Sequence, residues 1–347
     1  MEGRAMKRLI VFSLCLLLAG TPSLLAGSGN RTGTNSASEL LIPIGPRDIA
    51  MGNSTVAITS GPEAIFWNPA GTAGIQHGVT LFASHMDYIA DIGVECLSAS
   101  VRLEDFGTLG LQFKALSVGD IPVTTAQTPD GTGQTFSPLF FTLGLTYGRQ
   151  LTDRVRVGVT TKLISEQMAD VSATGFAFDA GVIYDNLAGL QGLSFGVVVK
   201  NIGPQIKFEG PGLNVEAISS DLSREAYTYK VDAASFELPS TIELGVGYRN
   251  MVGEDNAFTV SAAFQNNNFT DDAYRGGLEY GFQNLLFLRG GYDYSPSATD
   301  VRENIFGPSF GAGIHAIVGN TDVTFDYAYR SVNFFSANHV FAVKIGL

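Results

Sequence analysis

The sequence predicts an all-β fold: an antiparallel transmembrane β-barrel of about 14 strands with an amino-terminal hatch segment inside its lumen. Three observations predict the barrel. Stretches of roughly ten residues in which every second residue is apolar recur between His77 and Leu347 of the 347-residue chain. The segments joining them alternate long and short. Mean hydropathy is +0.17 with only 16% charged residues, yet past the amino terminus no apolar run approaches the ~18 residues a membrane helix needs, so strands must do the crossing.

Residues 1–26 are expected to be a signal peptide. Lys7 and Arg8 precede an apolar run over residues 9–19, followed by Pro22 and a cleavable Leu24-Leu25-Ala26 site. The run is too short to cross a bilayer as a helix. Glu2 is foreign to a positive leader, which leaves Met1 and Met6 as alternative initiators. Once the leader is removed Cys96 is the sole cysteine, which excludes an intramolecular disulfide and leaves it a buried or lipid-facing structural residue.

Residues 27–76 form an extension and hatch ahead of the barrel, which occupies 77–347. Within them 41–52 and 61–71 are compact and partly apolar, contain the only tryptophan, and are too short to make a domain, so the lumen is their natural place. Pro62 can open a helical turn, and Pro69 should stop it by pushing Asn68 out of the helical region. Gly71 should then allow a tight exit toward the barrel.

Alternation places strands near 77–86, 91–103, 107–118, 138–149, 155–166, 174–185, 192–202, 239–250, 256–268, 272–283, 285–295, 307–319, 321–331 and 337–347. In the thirteenth, Val323, Phe325, Tyr327 and Tyr329 fall on one face and Thr324, Asp326, Ala328 and Arg330 on the other. Charges on a hidden face suit a strand with lipid outside and a wet lumen inside. Connections after even-numbered strands are short, whereas 119–137, 203–239 and 296–306, after odd-numbered ones, are long, so the long loops share one side. Tyr147, Tyr184, Tyr248 and Tyr280 mark the short-turn end, and Tyr292, Tyr294, Tyr327 and Tyr329 the long-loop end, as two interfacial girdles. The complementary face carries Lys162, Asp179, Glu243, Arg249, Arg275, Glu279, Arg289, Asp326 and Arg330, together with Lys114, Lys200, Asp293 and Lys344. Mixed signs in a lumen pair, and a wall network holding barrel and plug is their expected role.

A net charge of −12 with no basic patch excludes nucleic acid as a partner. The protein is expected not to be an enzyme: His77, His85, His315 and His339 are scattered over the strands with no placed nucleophile beside them. No cofactor or metal is implied. Asn266-Asn267-Asn268 with Asp271-Asp272 lacks the ligand spacing of a calcium loop and reads as a polar hairpin connection.

The pair Gly45-Pro46-Arg47-Asp48-Ile49-Ala50-Met51-Gly52 and Phe66-Trp67-Asn68-Pro69-Ala70-Gly71 resembles the amino-terminal hatch of the FadL superfamily, and more closely its PorV/PorQ branch. Pro46 stands where Ala is usual, and Asn53-Ser54 where Gly-Ala is usual. The resemblance implies a 14-stranded bacterial outer-membrane barrel with Arg47, Asp48, Met51, Gly52, Trp67, Asn68, Pro69 and Gly71 as hatch residues. It also implies a component of type IX secretion that binds the carboxy-terminal signal domains of exported proteins, with cargo proteins or secretion-complex subunits as partners alongside outer-membrane lipid. The wider superfamily implies the alternative, a passive transporter of long-chain fatty acids or other hydrophobic small molecules. An apolar outer funnel would suit the transporter, whereas residues 214–232 include Glu216, Asp221, Arg224, Glu225, Lys230 and Asp232, a polar loop that favours protein binding.

Overall fold

The computed structural model describes residues 33–218, 226–296 and 304–347. The leader over 1–26, and with it the cleavage site, lies outside the described residues, as do Asp221, Arg224 and Glu225.

Fourteen strands form one closed antiparallel barrel. They are β1 (Val79–Asp87), β2 (Gly93–Leu103), β3 (Gly107–Ser117), β4 (Leu139–Gln150), β5 (Val155–Met168), β6 (Val171–Asp185) and β7 (Leu193–Ile202). The second half continues with β8 (Thr241–Val252), β9 (Asn256–Asn267), β10 (Ala273–Phe282), β11 (Leu286–Tyr294), β12 (Phe306–Val318), β13 (Thr321–Val332) and β14 (Asn338–Gly346). Each strand pairs with its sequence neighbours, and β1 pairs with β14 from Thr80↔Gly346 to Asp87↔His339, so no edge is left unpaired. Among the described residues no helix is long and apolar enough to cross a membrane.

The two faces separate as the alternation requires. On β13 Phe325 is 46% exposed and faces out, whereas Asp326 and Arg330 are each 4% exposed and face in. On β6 Phe176 and Phe178 project outward while Ala177 and Asp179 are buried between them. The exposed apolar exterior is the surface that lipid covers in a membrane barrel. Cys96, from β2, is buried on the inner side.

The strand boundaries depart from the sequence reading mainly at one hairpin. β5 runs to Met168 and β6 starts at Val171, three residues earlier than alternation suggests, because Ala169 takes a left-handed φ of 46° and closes a two-residue turn. Past the lipid boundary both faces meet water, so the ladder continues where the apolar period has ended. Two of the long loops carry short hairpins, 121–122 with 135–136, 206–207 with 235–236, and 214–218 with 226–230. The last of these, polar by composition, sets Val215 opposite Tyr229, and the two are 47% and 50% exposed. Sorting by face thus produces an apolar side that composition hides.

The wall is irregular at β12. Pro308 has no amide to donate, pairing with β13 slips between Phe306 and Ser309, and the β11–β12 ladder ends at Gly291↔Ser309.

Candidate functional site: the lumenal segment and the cavity above it

Residues 33–76 lie inside the barrel as a chain of short turns. Pro46 opens a five-residue helix, α1 (Pro46–Ala50), at the position where a missing amide costs nothing. A second turn, α2 (Ala64–Trp67), follows Pro62. Asn68 is extended, as Pro69 requires, but Pro69 does more than stop α2. It opens a 3₁₀ turn, Pro69–Gly74, which Asn68 caps by accepting from the Ala70 amide at 3.1 Å. Gly71 is therefore not an exit from the segment: it lies within that turn, where a Cβ would strike the Thr59 carbonyl and Ala64.

The segment is seated by glycines. On the inner face of β5, β6, β8, β10 and β11 stand Gly158, Gly181, Gly245, Gly277 and Gly291, and a Cβ at these positions would meet Pro69, Asn68, Val56, Met51 and Gly52 respectively. At Gly158, Gly277 and Gly291 backbone thus packs on backbone. Gly52 needs its own lack of a side chain twice over, for a φ of 62° and for its contact with Tyr292 of β11.

Polar contacts fix the segment's rotation. Arg47 donates from Nε and Nη2 to the two oxygens of Glu279 on β10, both at 2.9 Å. Glu63 accepts from Lys344 of β14 at 2.7 Å. Asn53 donates to Asp293 at 3.0 Å, and Ser54 shares a 2.6 Å bond with Ser261, so these two residues, unusual at their places, both bond to the wall. Asn68 Nδ2 donates to Val56 O at 3.0 Å and to Val182 O of β6 at 3.3 Å. Trp67 donates to the Ile44 carbonyl at 2.9 Å, with Lys200 5.5 Å over its ring. Met51 is fully buried against Gly277.

The Asp48 side chain bonds within the segment. Its Oδ1 accepts from Thr55 at 2.5 Å, which closes the segment on itself. Burial pushes its carboxyl up to about 6, against the opposing pull of Arg47 and Thr55. Farther out, Ser36 Oγ donates to Glu166 at 2.5 Å and Lys114 donates to the carbonyls of Glu39 and Ile42 at 2.6 and 2.8 Å. Burial first, and Glu166 second, push the Glu39 carboxyl up to about 7.

The wall charges pair. Lys162 meets Asp179 at 2.6 Å, and Glu243 holds Lys200 at 2.5 Å and Arg275 at 3.1 Å. Arg275 also meets Asp293 at 3.2 Å, while Arg289 joins Glu279 at 2.7 Å to Asp326 at 2.5 Å. Among the described residues Lys114 bonds to carbonyls and to no carboxylate, and two more residues of the sequence-derived set stand apart. Arg249 is exposed at the short-turn mouth, lining a pocket of about 290 Å³ with Arg47 and Glu279. Arg330 is buried and forms none of these ion pairs. Glu63, Glu39, Glu166, Thr55 and the glycine seat were not singled out from sequence, although glycine on the inward register of successive strands was the signal available for the seat.

Two stretches, Gly192-Leu193-Ser194-Phe195-Gly196 and Gly307-Pro308-Ser309-Phe310-Gly311, spell the spacing of a hydrolase nucleophile elbow. Both serines lie within strands and not at a strand-to-helix turn. Ser194 donates to Asp185 at 2.9 Å, and Ser309 to the Gly291 carbonyl at 3.2 Å. Near 266–272, Asp272 accepts from Asn266 at 2.8 Å and the Asn267 amide at 3.2 Å as a hairpin connection, and no metal-ligating cluster occurs among the described residues.

On the long-loop side of the segment a cavity of about 600 Å³ remains, walled by Ile42, Ile44, Phe66, Trp67, Tyr88 and Phe306 and by Lys114, Lys200, Arg275 and Arg330.

Fold and lumenal segment together define an outer-membrane-type β-barrel whose own amino-terminal region fills the lumen. A profile of the family described as type IX secretion system protein PorV matches residues 26–267, and the chain belongs to that family. No curated protein matches by sequence. Among solved structures the chain is similar to the toluene transporter TodX of Pseudomonas putida, at 13% identity and TM-score 0.55 over 88% of this chain and 97% of that one. It is also similar to the toluene transporter TbuX of Ralstonia pickettii, at 12% identity and TM-score 0.53 over 88% and 98%. At these identities the likeness is one of fold.

Proposed function

We propose that this chain sits in the bacterial outer membrane as a non-catalytic receptor of type IX secretion that receives the carboxy-terminal signal domains of exported proteins at its long loops. The family match carries the reading, because it spans the lumenal segment and both of the longest loops. Two structural features support it. The lumen is occupied by a segment bonded to opposite walls, which suits a docking platform better than an open pore. The hairpin over 214–230 presents Val215 and Tyr229 to the outside, a surface on which another protein can bury apolar area. Affinity purification from solubilised outer membrane tests it: large exported proteins sharing a carboxy-terminal domain should co-purify, and their loss on removal of 206–236 should leave the barrel intact. Recovery of the bare barrel from an actively secreting cell would sink it.

A second reading, passage of hydrophobic compounds, draws on the apolar side of the 600 Å³ cavity. The segment would then be a gate. Uptake of a labelled hydrocarbon that depends on the protein would favour it over the first.

A further inference from the structure

We propose that the short-turn mouth of the barrel carries a proton-binding latch, in which His77 and His315 share the Asp322 carboxylate and tie the exit of the lumenal segment to the seam that closes the barrel. It stands apart from the readings above, since nothing in it depends on what binds at the long loops.

His77 and His315 are far apart in the chain, but the fold sets both on one carboxylate. Asp322 Oδ2 lies 2.5 Å from His77 Nε2, and Asp322 Oδ1 lies 3.3 Å from His315 Nε2. The other ring nitrogen of His315 is 2.9 Å from the Asn284 carbonyl, in the turn between β10 and β11, and a carbonyl only accepts, so Nδ1 carries a hydrogen. A neutral imidazole has one donor. The Nε2 lone pair of a neutral His315 would therefore face the lone pairs of Oδ1, and a proton between the two removes that conflict, whichever of them holds it. Nothing among the described residues fixes the tautomer of His77, which can place its own hydrogen on Nε2. The cluster thus holds one proton more than two neutral imidazoles and a carboxylate carry.

The other charges at this mouth are engaged elsewhere or stand free of Asp322. Arg289 joins Glu279 to Asp326, Arg47 clasps Glu279, and Lys344 holds Glu63. The Leu347 oxygen accepts from the Val79 amide at 3.2 Å, and Arg249 meets no carboxylate among the described residues.

Position gives the proton its effect. His77 lies between the last turn of the segment, which ends at Gly74, and β1, and its ring covers Gly346 of β14, where a Cβ would strike it. Gly346 in turn pairs with Asp322 of β13 and with Thr80 of β1. Loss of the proton sets lone pair against lone pair beside the carboxylate that holds His77, so the hold on residues 76–78 weakens first. Histidine is the side chain whose charge changes between about pH 5 and about pH 8, so the latch is firm at the acid end and slackens as the pH rises.

The full mature chain in nanodiscs tests this by two measurements. In protein carrying isotope-labelled histidine, the His315 ring, assigned by its absence from His315→Gln, should keep its hydrogen on Nδ1 throughout. A nitroxide on Gln76→Cys, exposed beside His77, reads the latch, while Cys96 is buried and stays unlabelled. Its correlation time should fall by about twofold or more from about pH 5 to about pH 8 in the parent. His315→Gln should remove that pH response. Asp322→Asn, whose amide can donate to a neutral His315 while its oxygen accepts from His77, should stay slow at both ends, each variant keeping a heat-modifiable gel band. The Asp48→Asn, Glu39→Gln variant should respond as the parent does, which separates this proton from those of the segment. A His315 ring with its hydrogen on Nε2 and a bare Nδ1, a parent insensitive to pH, or a folded His315→Gln or Asp322→Asn that responds like the parent overturns the latch. So does a label that slows as the pH rises and is freed by EDTA, because a bound metal is favoured as histidine loses its proton.

Discussion

Arg47 clasps Glu279 through two parallel bonds, each 2.9 Å, joining the lumenal segment to β10 in the geometry that makes guanidinium–carboxylate pairs strong. Glu279 also takes Arg289 at 2.7 Å, so one carboxylate serves both the segment and the wall.

Replacing Glu279 by Gln therefore leaves the buried Arg289 and the partly buried Arg47 each short of a partner. Breaking a buried pair from one side costs about 3–5 kcal/mol, and the loss should fall first on the segment, because Arg289 keeps Asp326. In detergent, trypsin should cut after Arg47 in Glu279→Gln well before it does in the parent. Equal cleavage rates would mean that the glycine seat alone holds the segment.

Register is testable on β13. Lysine at Phe325 faces lipid and should cost about 2–4 kcal/mol, whereas lysine at Thr324 faces the wet lumen and should cost much less. Folding yield into lipid vesicles measures both. Equal losses would contradict the assignment of faces.

If the segment closes the lumen, unseating it should open a conductance without unfolding the barrel. Valine at Gly277 would overlap the Met51 carbonyl, and deletion of 45–74 removes the segment altogether. Planar-bilayer recordings should show larger conductance for both, the deletion more so, with the heat-modifiable band retained. A folded deletion variant that conducts like the parent would show that the segment is no plug.

Proton binding should tighten the segment. The carboxyls of Asp48 and Glu39, at about 6 and 7, titrate above their ordinary values, so their contribution is complete below about pH 4 and is lost as pH rises through 6 and 7. Cleavage at Arg47 should thus be slower at pH 5 than at pH 8, after correction for protease activity. The double variant Asp48→Asn, Glu39→Gln should flatten the difference. A profile unchanged in that variant would place the dependence elsewhere.

The barrel was legible in the sequence because a membrane wall imposes a two-residue period on every crossing, as with Phe325 beside Asp326, and because loop lengths alternate with strand parity. Charge on the inward register was legible for the same reason, and so was the helical break at Asn68, which Pro69 enforces locally. What only the tertiary structure decided is which partners meet across the lumen. Glu279 choosing Arg47, Glu63 choosing Lys344, Asp48 turning to Thr55 and Arg330 meeting no carboxylate among the described residues are matters of where a folded segment comes to rest, and no periodicity carries that distance. The seat shows the division most clearly. Sequence fixes Gly158, Gly181 and Gly277 on inward positions, but the gap each leaves acquires meaning only when Pro69, Asn68 and Met51 fill it, because close packing is a property of two surfaces.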